Sequence, residues 1–149
     1  MDWRALALAA LVAGPLPASA ADQFQIKLRG ITIGTLTVDH SRDADRFDFR
    51  SQFHTSGVAG VVKKVQFIMQ SRGLLSGHLP IPRSYGERMD TGQRVSNAAI
   101  TFPSGDRRWD PNTAMVYALS PRPREAGCAL DRRLFDGERT NDLSLVEVA

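Results

Sequence analysis

Polar and apolar residues alternate in several stretches of this sequence, and this period of two is the feature that most constrains the fold. Every second residue is apolar between Gln23 and Arg29. A longer stretch places Phe47, Phe49 and Phe53 on one side of the chain. Such alternation is typical of strands with one buried face. Between these stretches the alternation changes phase at Gly34, which predicts a β-bulge or a sharp bend there.

Shorter alternating stretches follow at intervals of roughly 8–12 residues, without long helices between them. We predict further strands at 31–38, 65–69, 74–79, 83–89, 95–102, 131–135 and 143–148, with turns at 41–44, 57–60 and 136–137. One helix is predicted over Pro111–Leu119, because Asp110 is a favourable N-cap and proline suits the first helical position. The predicted fold is mainly β: a curved antiparallel meander sheet, an open or half barrel, with one short helix.

The first twenty residues have the order of parts found in a secretory signal peptide. Arg4 precedes an uncharged apolar stretch, which is followed by two prolines and by small residues ending at Ala20. We predict a signal-peptide helix over Leu6–Ala13 and cleavage between Ala20 and Ala21. The apolar stretch is shorter than the about 20 residues that span a bilayer, and no later segment is apolar enough. The expected product is periplasmic or secreted, and it is not an integral membrane protein.

Residues 21–149 are sufficient for one domain and too few for two. The net charge of +3 is spread over the chain, and basic pairs such as Lys63-Lys64 stand among acidic residues. This balance indicates a mild attraction to anionic surfaces such as lipid head groups, and we expect no nucleic-acid partner. The single cysteine, Cys128, is compatible with a buried apolar residue, a free thiol, or half of a disulfide whose partner lies elsewhere.

No pattern in the sequence indicates a catalytic or metal site. His40, His54 and His78 are far apart and have no second ligand type at metal-binding spacing. The serines that precede glycines lack the G-x-S-x-G frame of a nucleophile elbow. In the segment Gly57–Lys64 the lysines do not directly follow the second glycine, and no serine or threonine follows them, so the segment does not match a phosphate-binding loop. We therefore expect neither an enzyme nor a cofactor.

A set of apolar residues, mostly aromatic, falls on one side of the predicted sheet. The set comprises Phe24, Phe47, Phe49, Phe53, Phe67, Met69, Ile100 and Phe102. One interpretation is that these residues form the core under the single helix. The other is that one short helix leaves part of a curved sheet open, so that its concave face binds an acyl chain or another hydrophobic ligand.

Several short motifs, taken in their order, resemble the DUF3108 domain, a family of exported bacterial proteins of unknown function. The matching pieces are the signal peptide, Arg29 to Gly34, Pro80 with Tyr85, Trp109 to Leu119, Cys128, and Phe135-Asp136-Gly137. The chain departs from the family before Asp142-Leu143, where relatives have basic residues and an aromatic. Relatives also continue beyond this point with further strands, so the resemblance implies a domain that is incomplete at its C-terminus and a missing partner for Cys128.

The sequence thus leads to two functional hypotheses. The first is a non-enzymatic exported domain that binds lipid or another hydrophobic small molecule on the apolar face. The second is a protein-interaction module of the cell envelope that docks a partner along an exposed strand edge, which Leu143–Val148 would offer.

Overall fold

The computed structural model describes residues 21–127 and 129–146. The predicted signal peptide with its helix over Leu6–Ala13, Cys128, and the last residues of the strand predicted at 143–148 lie outside the described residues. Of the predicted cleavage position, only Ala21 is described, directly before the first strand.

Six strands form one antiparallel sheet in the order of the chain. They are β1 (Asp22–Leu28), β2 (Ile31–Asp43), β3 (Arg46–Thr55), β4 (Gln66–Ser76), β5 (Leu79–Asp90) and β6 (Val95–Thr101). A separate two-stranded sheet consists of β7 (Leu130–Phe135) and β8 (Thr140–Leu145). The helices are α1 (Gly57–Val62) and α2 (Pro111–Leu119), with a 3₁₀ turn at Arg124–Ala126. The predicted mainly β, open meander is confirmed, and so is α2.

Some local predictions were wrong. The turn expected at 41–44 begins later, because β2 continues to Asp43 and the chain turns at Ala44. The segment expected as a turn at 57–60 is the start of α1. The strand expected at 74–79 is not separate from the one expected at 65–69, because β4 passes through Gly73 and ends at Ser76. The chain then turns at Gly77 and His78, and Leu79 begins β5.

Two β-bulges interrupt the sheet, and the first lies where the alternation changes phase. Ile26 pairs with Gly34 while Lys27 pairs with Thr32, so Ile33 is the extra residue of β2. The second bulge leaves Arg83 as the extra residue of β5. Extra residues of this kind increase the local twist and bend of a strand.

The two faces of the six-stranded sheet differ in what covers them. We call the face on which α2 packs the helix face; it carries Val38, Phe47 and Phe49, which form a buried cluster with Val116 of α2. The other face is largely polar, as the alternation predicts. A second buried cluster joins α2 to the β7–β8 hairpin through Trp109, Tyr117 and Leu130 among others. The core therefore lies between the middle of the sheet, α2 and the hairpin.

Candidate functional site

Helix α2 is fixed to the helix face by buried polar side chains at its N-terminus. Asp110 is the N-cap, and its carboxylate accepts hydrogen bonds from Thr113 N at 2.9 Å, from Thr113 Oγ1 at 2.6 Å and from Ser71 Oγ of β4 at 2.5 Å. Beside it, Ser51 Oγ of β3 donates to Asn112 Oδ1 at 2.6 Å. Five buried residues thus join the start of α2 to two neighbouring strands.

The charge state of Asp110 reflects this burial. Desolvation raises the pKa of the Asp110 carboxyl, and the hydrogen bonds from Ser71 and Thr113 act in the opposite direction. Ser71, Asp110 and Thr113 are all fully buried, so no substrate can reach the Ser71 hydroxyl in this conformation. We therefore interpret the group as a structural anchor of α2 and not as a nucleophile with its base.

The strand register places the predicted apolar residues on the helix face. Phe24 lies opposite Leu36, Leu36 opposite Phe53, Phe53 opposite Phe67, and Phe67 opposite Met89. Directly opposite residues on antiparallel strands share a face. Met69 lies opposite Ser51, and Ile100 lies opposite Tyr85, both on this same face.

The eight predicted residues fall into two groups that differ in burial. Phe47, Phe49 and Phe102 are buried, and the first two belong to the core cluster beneath α2. These three side chains are not accessible to a ligand in this structure. Phe24 is 37% exposed, and Phe53, Phe67, Met69 and Ile100 are half-buried. The helix face is therefore core at its middle and partly open at one end.

At the open end, five apolar side chains form a row across the sheet, one from each of five neighbouring strands. We call them the aromatic row: Phe24, Leu36, Phe53, Phe67 and Met89. The rings of Phe53 and Phe67 are 6.0 Å apart between centroids. Because neighbouring strands lie about 4.8 Å apart, the row extends about 19 Å, which is comparable with an extended acyl chain.

Leu36 and Met89 were not among the predicted site residues. The signal for Leu36 was present, because it continues the alternation after the phase change at Gly34. Met89 ends the predicted strand 83–89, where the charged residues and Gly86 obscured the alternation. Only the register shows that both side chains lie beside the phenylalanines.

The row has a different environment at each of its ends. At the β1 end, Phe24 belongs to an edge strand of the sheet. At the other end, Met89 of β5 and Ser96 of the neighbouring strand β6 line a cleft of about 190 Å³. The other residues that line this cleft include charged groups of both signs, namely Glu87, Arg94, Asp136, Glu138 and Arg139. The row is thus an open apolar surface that continues into a polar cleft.

Of the larger clefts, one of about 490 Å³ lies between Arg107-Arg108 and the β7–β8 hairpin, and two more are lined by other residues. One, of about 610 Å³, lies beside α1 and is lined mostly by polar residues including His54 and Lys64. The other, of about 550 Å³, lies between the start of β5 and the loop before α2. Among residues 21–127 and 129–146, no group of three His, Cys, Asp or Glu side chains is placed to hold a metal ion. In the same part of the chain, neither α-helix has the length and apolar character needed to cross a membrane.

No family model, curated protein or solved structure matches the chain. The resemblance to the DUF3108 domain stays a prediction.

Proposed function

We propose that the protein is a non-enzymatic, exported binding protein that takes a lipid or another hydrophobic small molecule on the aromatic row. The observation that carries this proposal is the register of the row, because it aligns five half-buried or exposed apolar side chains across five strands. A sheet face that served only as core would be covered along its whole length, whereas α2 covers the rows of Phe47 and Phe49.

The ligand that suits this surface is an amphiphile with one extended chain. Burying apolar surface contributes about 25 cal/mol per Å², and this contribution favours an acyl chain that lies along the row. Its polar end would lie in the cleft beside Met89 and Ser96. Both Arg94 and Glu138 line that cleft, at 3.8 Å from one another, so the cleft offers both a cation and an anion to the polar end of the ligand.

A matched pair of substitutions on β4 tests the proposal. Phe67 lies in the aromatic row, and the next residue, Ile68, is also half-buried but lies on the opposite face of the sheet. With a fluorescent fatty acid as the probe, Phe67→Asp should weaken binding at least about tenfold, given that a buried phenylalanine contributes about 1.5–3 kcal/mol. Ile68→Asp should leave the affinity within about twofold.

Native mass spectrometry of protein purified from the producing cell provides the second measurement. A bound lipid on the wild-type protein, reduced in the Phe67→Asp variant, would support the proposal. A ligand-free spectrum together with no uptake of the fluorescent fatty acid would refute it.

A second candidate function is docking of an envelope protein along a strand edge. The observation that favours it is that β1 and β6 of the large sheet, and β8 of the small one, each have a neighbour on one side only in the described part of the chain. Such edges have unpaired backbone groups that can add a strand from a partner. A crosslinking pull-down that yields a reproducible protein partner, from a sample without bound lipid, would favour this function over the first.

A further inference from the structure

A cluster of exposed aliphatic side chains lies at one end of the six-stranded sheet. Leu28 and Ile31 face each other at the tip of the β1–β2 hairpin, and Val58, Val61 and Val62 belong to α1. The exposed fractions of these five side chains lie between 61% and 89%. We call these five residues the aliphatic tip. Single exposed apolar residues are ordinary, but a group of this size in one place indicates an interaction surface.

The hairpin and α1 are neighbours at that end of the sheet. The Ser56 N–H, just before α1, donates to the carbonyl oxygen of Ile33 at 3.2 Å. A Cβ added at Gly57 would lie 3.5 Å from the Thr32 carbonyl oxygen. Helix α1 therefore starts beside Thr32 and Ile33, the two residues of β2 that directly follow Ile31. The two apolar segments therefore lie next to each other at this end of the sheet.

Basic residues directly adjoin the residues of the aliphatic tip in the chain. Lys27 and Arg29 flank Leu28, and Lys63 and Lys64 directly follow Val62; all four are exposed. The acidic residue that lines the cleft beside Lys64 is Asp90. The local charge is therefore clearly positive, although the net charge of the whole chain is only +3.

We infer that the aliphatic tip docks the protein onto the surface of a bilayer that contains anionic lipids. Exposed aliphatic side chains enter the boundary between head groups and acyl chains, while lysines and arginines beside them contact anionic head groups. A second copy of this chain fits the tip less well, since a two-fold interface would bring the cations of both copies together. This inference does not depend on whether the aromatic row binds a ligand.

Cosedimentation with lipid vesicles tests the inference. The purified protein should bind vesicles containing phosphatidylglycerol at low salt, bind vesicles of phosphatidylcholine alone at least about tenfold more weakly, and lose affinity as salt is added. The double variant Val61→Asp/Val62→Asp should reduce binding at least about tenfold. Val146→Asp, at a similarly exposed valine after β8, is the control and should bind like the wild type.

Two charge-reversal variants and a measurement of the oligomeric state provide further tests of the inference. Lys63→Glu/Lys64→Glu should reduce binding at least about tenfold, while Arg46→Glu/Arg107→Glu, with the same change in charge elsewhere on the surface, should reduce it less. Equal losses in the two charge variants, or no binding of the wild type to phosphatidylglycerol vesicles, would overturn the inference. So would a dimer that dissociates in the Val61→Asp/Val62→Asp variant without a change in vesicle binding.

The same variants separate this inference from ligand binding on the aromatic row. Val61→Asp/Val62→Asp should still take up the fluorescent fatty acid in solution, and Phe67→Asp should still bind the vesicles. Failure of uptake in every sample, with vesicle binding intact, would refute the proposed function alone.

Discussion

Replacing Asp110 with alanine removes the acceptor for three buried hydrogen bonds at the start of α2. Two hydroxyl groups, from Ser71 and Thr113, and the Thr113 N–H would lose their partner. Loss of an N-cap costs about 1 kcal/mol, and each buried polar group left unsatisfied costs about 1–3 kcal/mol. The hydroxyls can rotate toward other acceptors, and a buried charge is removed, so part of this cost is offset. We expect Asp110→Ala to lower the free energy of unfolding by about 3 kcal/mol.

Asp110→Asn is the matched control, since it keeps the size of the side chain and one acceptor oxygen. That oxygen can still accept from Ser71 Oγ and from Thr113 N, and the charge that burial disfavours is gone. We expect a loss of about 1 kcal/mol or less. Urea unfolding followed by circular dichroism measures both values. Equal losses in the two variants, or a loss below about 1 kcal/mol for Asp110→Ala, would refute the role of this carboxylate as an anchor.

The same pair predicts a pH dependence. Burial raises the pKa of Asp110 above its ordinary value of 3.8. At a pH between 3.8 and the folded-state pKa, the Asp110 carboxyl is therefore protonated in the folded protein and ionised in the unfolded chain. By linkage, the unfavourable contribution of the Asp110 charge is absent below pH 3.8 and fully present above the folded-state pKa. The free energy of unfolding of the wild type, measured relative to Asp110→Asn, should therefore rise as the pH falls through this window. A difference that falls instead would contradict the direction of the shift.

Two other substitutions test packing at defined places. Gly34→Ala should lower the free energy of unfolding by about 1–3 kcal/mol, because the added Cβ would lie 2.3 Å from the Phe53 ring. The control Gly86→Ala, whose added Cβ has its nearest atom at 4.0 Å, should change thermal stability far less. Similar losses in the two variants would show that the Phe53 ring is not in this position. Arg132→Ala should lower the free energy of unfolding by about 0.5–1 kcal/mol, because the guanidinium lies 5.0 Å from the centre of the Trp109 ring. An unchanged midpoint of urea unfolding would show that this contact does not stabilise the protein.

Sequence patterns were sufficient for the elements whose signals are local. Alternation identified the strands and the bulge beside Gly34, and the Asp110-Pro111 pair identified the start of α2. Helix α1 had no such signal: Ser56 makes no side-chain cap, and a run rich in glycine and valine has low helix propensity.

Gly73 shows a different limit of the sequence. A glycine commonly marks a break between strands, yet β4 continues through this residue. A Cβ at Gly73 would lie 2.6 Å from the ring of Phe47, which is its cross-strand partner. The ring fills the space that a side chain would occupy, as happens where an aromatic covers a strand glycine. Only the pairing of two distant strands could show that this glycine is part of a strand.

Alternation placed the apolar residues on one face, but it could not show which of them α2 would cover. That division depends on contacts between residues far apart in the sequence, Ser71 with Asp110 and Ser51 with Asn112. A helix held only by apolar contacts could slide along the sheet and cover the aromatic row, because hydrophobic contacts have little directionality. Buried hydrogen bonds permit one position, and in that position the row stays open. Asp110→Ala should therefore affect two measurements: it should lower stability and, by loosening the position of α2, alter the uptake of a hydrophobic probe.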